Sequence, residues 1–315
     1  MQQTWTFDAP SGVYKNHNMS EQLRFAAIAE TKFMQFTKPE PGYGKKKGES
    51  VTITRVSNLD EPNDGRISEN QKIPEDELVL STIAITVSEF GRSVPYTSLA
   101  EDLGAFDLEN IIQKTLRDQM KLVMDKAAAA AFKTGQIKAT ADGVSSLQIG
   151  TAGVAPATAS ANLNVYHIEQ IRDYMHGTLH IPAYEGDDYI GLVSTKAKRG
   201  IMQDPAWEPW HRYTDPEAKY NSEIGRLENI RFIEINNSNA LSKSLGTNGV
   251  CGEAVFFGAD AVAMAVVEDP ELRAAIPGDF GRSKAVAWYG ILEFGQIWAD
   301  SANAGEARVV HFTSL

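Results

Sequence analysis

Val51-Thr52-Ile53-Thr54-Arg55-Val56 and Ile83-Ala84-Ile85-Thr86-Val87 are two β-branched stretches with alternating patterning. Period-two alternation is the mark of a strand with one covered face. Between them, Ser57 to Val79 is polar and turn-rich, with Pro62, Asn63, Asp64, Gly65 and Pro74. A loop of that length is unusual inside a compact domain and is generally functional or disordered. The pair therefore reads as a long hairpin that projects from a body built elsewhere.

Its charges are segregated. Lys45, Lys46, Lys47 and Arg55 lie at the base, while Asp60, Glu61, Asp64, Glu69, Glu75, Asp76 and Glu77 crowd the far end, opposed by Arg66 and Lys72. A hairpin with a basic root and an acidic tip is complementary to a copy of itself, which makes these thirteen residues the candidate intersubunit contacts. Charge alone favours the plainer reading, a solvated loop.

Outward from the hairpin, Phe106 to Thr134 carries a helical stripe: Leu108, Ile111, Ile112, Thr115, Leu116, Gln119, Met120, Val123, Met124 and Ala127. Asp107 is its expected cap and Gly135 its stop, giving an amphipathic helix about 40 Å long. On the N-terminal side, residues 1 to about 20 read as an extended arm. Ser20 then caps a helical pattern (Leu23, Ala26, Ala27, Glu30, Phe33, Met34, Phe36) that Pro39 and Pro41 stop.

On the C-terminal side, residues 136–163 are rich in Ala, Thr, Gly and Ser and read as a loop or weak hairpin. A helix is expected from about Asn164 to Met175, a buried strand at Tyr189–Val193, and a helix capped by Ser194. Pro205, Trp207, Pro209, Trp210 and Tyr213 mark an irregular aromatic stretch. Strands follow at Ile230–Ile235, Ala254–Phe257 and Ala263–Val267, with closing strands in 283–299 and 306–313. The order is α+β, without the regular alternation of a doubly wound sheet.

With 315 residues, 43% of them apolar, the chain can bury a sizeable core. A net charge of −11 disfavours general coating of nucleic acid. The single Cys251 excludes an intrachain disulfide and a four-cysteine zinc site and suits a reducing cytoplasm. The start Met1-Gln2-Gln3-Thr4-Trp5 lacks the pattern of a secretory signal, and Ala254–Val267 is too short and too interrupted to span a bilayer. The expectation is a soluble cytosolic product with no membrane partner.

Local signatures of catalysis are missing. Gly42-Tyr43-Gly44-Lys45-Lys46-Lys47-Gly48 has the wrong spacing for a dinucleotide loop and reads as a turn. His176 and His180 are four apart, but Gly177 and Pro182 end the helix there, so helix-end histidines are the better reading than metal ligands. Asp187-Asp188, Glu268-Asp269 and Glu271 are pairs expected by chance among 41 acidic residues. His211 and His311 read as packing or surface residues, and Trp207 and Trp210 as core or interface anchors. No catalytic residue, cofactor or metal is expected.

The segment Glu223-Ile224-Gly225-Arg226-Leu227-Glu228-Asn229-Ile230-Arg231-Phe232-Ile233-Glu234 resembles a recurrent stretch in the major capsid proteins of N-four-type podophages. Trp288-Tyr289-Gly290 and the strand around Arg308-Val309-Val310-His311 look like the closing sheet of that family. The resemblance implies the Hong Kong-97-type capsid fold shared by tailed-phage coats and encapsulins. It implies an N-terminal arm at 1–40 and an extended loop at 45–93 that lies over a neighbouring subunit. It also implies a peripheral domain, mainly 94–214 and 281–315 with spine helix 106–134, and an axial domain, mainly 215–280.

The function so implied is a virion subunit, assembled in the host bacterial cytoplasm, that forms hexamers and pentamers of an icosahedral head. The implied partners are other copies of the chain, portal and scaffolding proteins, and a decoration protein. The shell encloses double-stranded DNA without sequence-specific binding. The alternatives are an encapsulin-like compartment shell and a soluble α+β enzyme with a dispersed active site.

Overall fold

The computed structural model describes residues 25–41, 43–57, 59, 66–67, 69, 72–73, 75, 77–104, 106–207, 223–298 and 304–315. In chain order the strands and helices begin with β1 Lys38–Pro39, β2 Ser50–Val56, β3 Leu80–Thr86, β4 Ser88–Thr97, α1 Ser98–Leu103 and α2 Leu108–Lys133. They continue with β5 Ile137–Gly143, β6 Ser146–Gly150, α3 Val165–Asp173, β7 Tyr189–Ser194 and α4 Thr195–Met202. The remaining strands are β8 Glu223–Leu227, β9 Ile230–Ile235, β10 Ala254–Phe257, β11 Val262–Ala274, β12 Ser283–Gln296 and β13 Val309–Phe312.

The strands form two sheets and a separate hairpin. A four-stranded sheet has the order β1-β11-β12-β4, a seven-stranded mixed sheet the order β6-β5-β13-β10-β7-β9-β8, and β2 pairs with β3 alone. The α+β class expected from the sequence is the one found.

α2 forms where expected, with its N-terminus capped locally and its C-terminus capped by a distant strand. The Asp107 side chain accepts the Asn110 N–H at 3.2 Å. At the other end, Gln296 Nε2 donates to the carbonyls of Ala131 and Phe132 at 3.0 and 2.8 Å, satisfying acceptors the helix cannot. Ile112, Leu116, Met124, Ala128 and Phe132 are buried against Val262, Val286, Trp288, Leu292 and Phe294 of β11 and β12. β12 alternates strictly through this stretch, so one face meets the helix and the other faces away.

The seven-stranded sheet has its own core. α3 buries Val165, Ile168 and Ile171 with Ile137, Val193, Phe232, Phe256 and Phe312. Asn164 and Ser194 cap α3 and α4 through their side chains, as their positions before each helical run imply. The Ala-rich stretch after Gly135 is more regular than its composition suggests. β5 is buried over Ile137–Ala141 and pairs parallel with β13 and antiparallel with β6.

Three expectations are corrected. Residues 25–33 are not helical, and only Met34–Phe36 makes a 3₁₀ turn. The Phe33 N–H bonds the Asp125 carboxylate at 2.8 Å and the Glu30 N–H bonds Asn236 at 2.9 Å, so tertiary partners displace the helical ladder. The remainder of that pattern, to residue 24, lies outside the described residues. The two closing strands do not share a sheet: β12 is central in the four-stranded sheet and β13 in the seven-stranded one. Finally, α3 does not stop at Met175 but continues as a π-turn, Tyr174–Thr178.

Candidate intersubunit surfaces

β2 and β3 pair in a continuous antiparallel register from Ser50↔Thr86 to Val56↔Leu80. One face of the ribbon carries Val51, Ile53, Ile85 and Ile83, the other Thr52, Thr54, Thr82 and Thr86. The apolar face seats on the side of the four-stranded sheet that α2 leaves free. There Ile85 packs on Ala263 and Ala265, with Val51, Ile53 and Val87 around it. Gly295 completes the seat: a Cβ at that position would stand 2.8 Å from Ile85 Cγ1. Small residues on β11 and β12 therefore allow the hairpin to cross close to the sheet.

Beyond the seat the ribbon is uncovered. Val56, Leu78, Val79 and Leu80 are all more than half exposed, as are Leu59 and Ile73 in the loop. Clustered exposed apolar side chains mark contact surfaces. None of the described residues between Ser57 and Val79 belongs to a helix or strand.

The charged candidates separate into three groups. Arg55 is buried within its own subunit, donating to the Ile297 carbonyl at 3.1 Å with its guanidinium 5.7 Å from the Trp298 ring. Lys45 pairs with Glu268 at 2.9 Å, and Glu268 also takes Arg273, so the basic root is tied to β11 of the same chain. Lys46 and Lys47 are exposed in the adjoining turn. In the loop, Lys72 pairs with Glu75 at 2.6 Å, while Arg66, Glu69 and Glu77 are exposed. Asp60, Glu61, Asp64 and Asp76 lie outside the described residues.

A second exposed surface escaped the sequence reading. β11 and β12 form a long ribbon whose tip presents Ile276 at 94% exposure and Phe280 fully exposed. Asp279 and Phe280 both take left-handed backbone, φ 48° and 54°. That conformation is costly for an aromatic residue. Leu99 and Leu103 of α1 are also exposed, and α1 is tied to the foot of this tip by Ser98 N–H to the Arg282 carbonyl and by Lys284–Glu101 at 2.8 Å. The available signal was Ile276-Pro277-Gly278-Asp279-Phe280-Gly281, bulky apolar residues inside a Pro/Gly turn.

The titratable residues elsewhere are engaged structurally. Asp188 is gripped by Arg226 at 2.5 Å and Arg231 at 2.8 Å. Trp207 is buried and packs edge-on to Phe232, whereas Trp210 and His211 lie outside the described residues. His176 Nδ1 lies 3.3 Å from the Tyr189 hydroxyl and His180 borders a cleft of 270 Å³ with Trp298, Glu306 and Arg308. Burial pushes the Cys251 thiol up to about 12, which leaves it a packed, protonated group. Among the described residues no three His, Cys, Asp or Glu side chains are grouped to hold a metal ion. Among the same residues, no helix is long and apolar enough to cross a membrane.

One buried polar network joins the two layers. Glu253, just before β10, accepts from His311 Nε2 at 2.6 Å, Lys133 Nζ at 2.9 Å and the Ser242 N–H at 2.6 Å. Lys138 lies 2.9 Å from His311 Nδ1 and also donates to the Lys133 carbonyl. An ammonium facing Nδ1 fixes the imidazole as the neutral Nε2–H form. Burial alone would raise the Glu253 carboxyl, but the His311 hydrogen bond and the Lys133 ammonium hold it at about 2. Burial lowers Lys138 to about 8. Glu253 and His311 are each about 5% exposed, which suits a structural tie between α2, β5, β10 and β13.

No protein-family model matches the sequence, and no curated protein matches it. Solved structures do. A chain of the head structure of Helicobacter pylori bacteriophage KHP40 superposes with a TM-score of 0.73 at 14% identity, over 98% of this chain and 99% of that one. The acid-stable capsid of H. pylori bacteriophage KHP30 gives 0.71 at 14% identity over 99% of each chain. The capsid of cyanophage Pam1 gives 0.69 at 12% identity, again over 99% of each. From end to end, this chain has the fold found in the head and capsid structures of these bacteriophages.

Proposed function

We propose that this chain is the major capsid protein of a tailed bacteriophage, a structural subunit whose hexamers and pentamers form an icosahedral head around double-stranded DNA. The observation that carries the reading is the full-length match to a phage head chain, TM-score 0.73 over 98% of this chain. The surfaces agree with it. A projecting ribbon and an apolar tip leave bulky side chains in water on a lone subunit, and burial against neighbours removes that cost. Contacts between unlike patches close around rotation axes, as a shell requires. The net charge of −11 disfavours general coating of nucleic acid, as enclosure without sequence-specific binding requires.

On this reading residues 1–40 are the arm and 45–93 the extended loop. The peripheral domain is mainly 94–214 and 281–315, built around the spine helix 106–134, and the axial domain is mainly 215–280. The candidate contacts in the loop are Arg66, Glu69, Lys72, Glu75 and Glu77 with Asp60, Glu61, Asp64 and Asp76. Assembly takes place in the bacterial cytoplasm with scaffolding and portal proteins.

The test is sedimentation and negative-stain microscopy of the purified chain with and without its scaffolding partner. Capsomers or shells are expected, and a persistent monomer at high concentration with the partner present refutes the proposal. Deleting residues 58–77 should leave a folded subunit with impaired assembly. Shells of normal yield from that variant would refute the role of the loop.

A further inference from the structure

Residues 25–41 run as a strap across the long helix; β1 ties its end to β11 and the Glu30 N–H bonds Asn236, and around Phe33 two further features hold it. Aromatic packing is the first. Phe33 is completely buried with its ring centroid 5.7 Å from that of Phe132, and Phe36 lies 5.5 Å from Phe257 and 5.8 Å from Tyr184. The second is a single carboxylate. Asp125 projects from the middle of α2, is fully buried, and accepts the Phe33 N–H at 2.8 Å. The backbone N–H groups of Lys32 and Met34 and the Asn237 side chain also face it. Its Oδ2 is left without a well-formed hydrogen bond.

This is an unusual place for an acid. A buried carboxylate is normally paired with a cation. The charged groups on the surrounding elements are turned elsewhere. Lys32 pairs with Glu30 at 2.8 Å and donates to the Glu234 carbonyl, and the Glu234 side chain pairs with Lys198 at 2.6 Å. Lys121 and Lys126, the neighbours on α2, are exposed. Neutral donors alone hold Asp125, and most of them belong to the strap. An apolar side chain at this site would pack, and an asparagine would accept the same N–H without a charge.

We propose that Asp125 is a proton-operated latch that sets how tightly residues 30–37 are held against the long helix, and thereby how readily the arm is released. The direction follows from linkage. Burial raises the Asp125 carboxyl above its ordinary 3.8 while the strap is docked. Release returns it to water and to that ordinary value. The docked form therefore binds the proton more tightly, so docking strengthens as pH falls through the raised value and gains nothing further below 3.8. At neutral pH the ionised latch opposes its own burial and the strap is at its loosest. A subunit with such a latch holds residues 30–37 loosely at neutral pH and firmly when the surroundings are acidic.

Hydrogen–deuterium exchange of the full-length, unassembled chain reads the strap directly, with intrinsic exchange rates divided out. Protection of the peptide spanning residues 30–37 in the wild type should rise as pH falls from 7.5 to 4, with α3 peptides as an unmoved reference. Asp125→Asn keeps an acceptor for Phe33 without the charge, so its strap should be at least as protected at pH 7.5 as the wild type is at pH 4, with no pH response. Asp125→Ala removes the acceptor and should exchange about tenfold faster. The wild-type pH comparison stands even if the alanine variant does not fold. A pH-independent wild type overturns the proposal, and so does an Asp125→Asn strap that is less protected than the wild type at pH 7.5.

Discussion

Replacing Glu253 by glutamine should cost the subunit about 3–5 kcal/mol, the range for breaking a buried ion pair by removing one partner. The structure supports that size independently. A carboxylate held at about 2 instead of its usual 4.5 contributes about 3 kcal/mol to the folded state at neutral pH. Glutamine keeps the shape but loses the charge that His311 Nε2–H and Lys133 meet at 2.6 and 2.9 Å. It also brings an NH₂ group into a site whose neighbours are already donors.

The pH dependence has a definite sign. A depressed carboxyl stabilises fully above its unfolded value near 4.5, and the contribution disappears as pH falls towards about 2. Urea denaturation of dissociated subunits at several pH values measures both effects. The wild type should lose stability across that acidic interval more steeply than Glu253→Gln. Glu271→Gln, at the rim of β11 with its side chain 59% exposed, is the control and should change little. A Glu253→Gln protein within about 0.5 kcal/mol of wild type, with an unchanged pH profile, would refute the view that this network ties the layers together.

Gly295→Val drives a side chain into Ile85 at the hairpin seat and should cost about 1–3 kcal/mol. Thermal unfolding should show the loss, and the added Ile85→Ala change should recover part of it because the two positions are in contact. Glu228→Gly should stabilise by about 1 kcal/mol in denaturant titrations, because Glu228 and Asn229 both need left-handed backbone in the two-residue turn between β8 and β9.

What was legible in the sequence was what short-range physics controls. The long helix expected over 106–134 is found at Leu108–Lys133, since the stripe lies within it and the Asp107 cap and Gly135 stop lie directly beside it. Ser194, Asn164 and the alternation of β2 and β3 worked for the same reason. The helix expected after Ser20 is not found over residues 25–33 because the partner of the Phe33 N–H is Asp125, 92 residues away, and no local pattern announces a carboxylate that captures a backbone N–H. Pairing of β12 and β13 in different sheets is likewise a matter of long-range register. Among the candidate contacts, charge segregation was visible but its use was not. Lys45 turns to Glu268 and Arg55 to Ile297 within the same chain, because partners on a distant strand outcompete those implied by neighbouring residues.

The position of β13 bears on how the protein is made. The strand enters between β5 and β10, parallel to one and antiparallel to the other, although β10 ends at Phe257 and β13 begins only at Val309. During synthesis the ribosome delivers the flanking strands first, and they wait with unpaired edges until residues 309–312 emerge. Such late, non-local closure is slow and exposes the intermediate to aggregation. A prematurely terminated chain keeps a split sheet and lacks His311 for the Glu253 network.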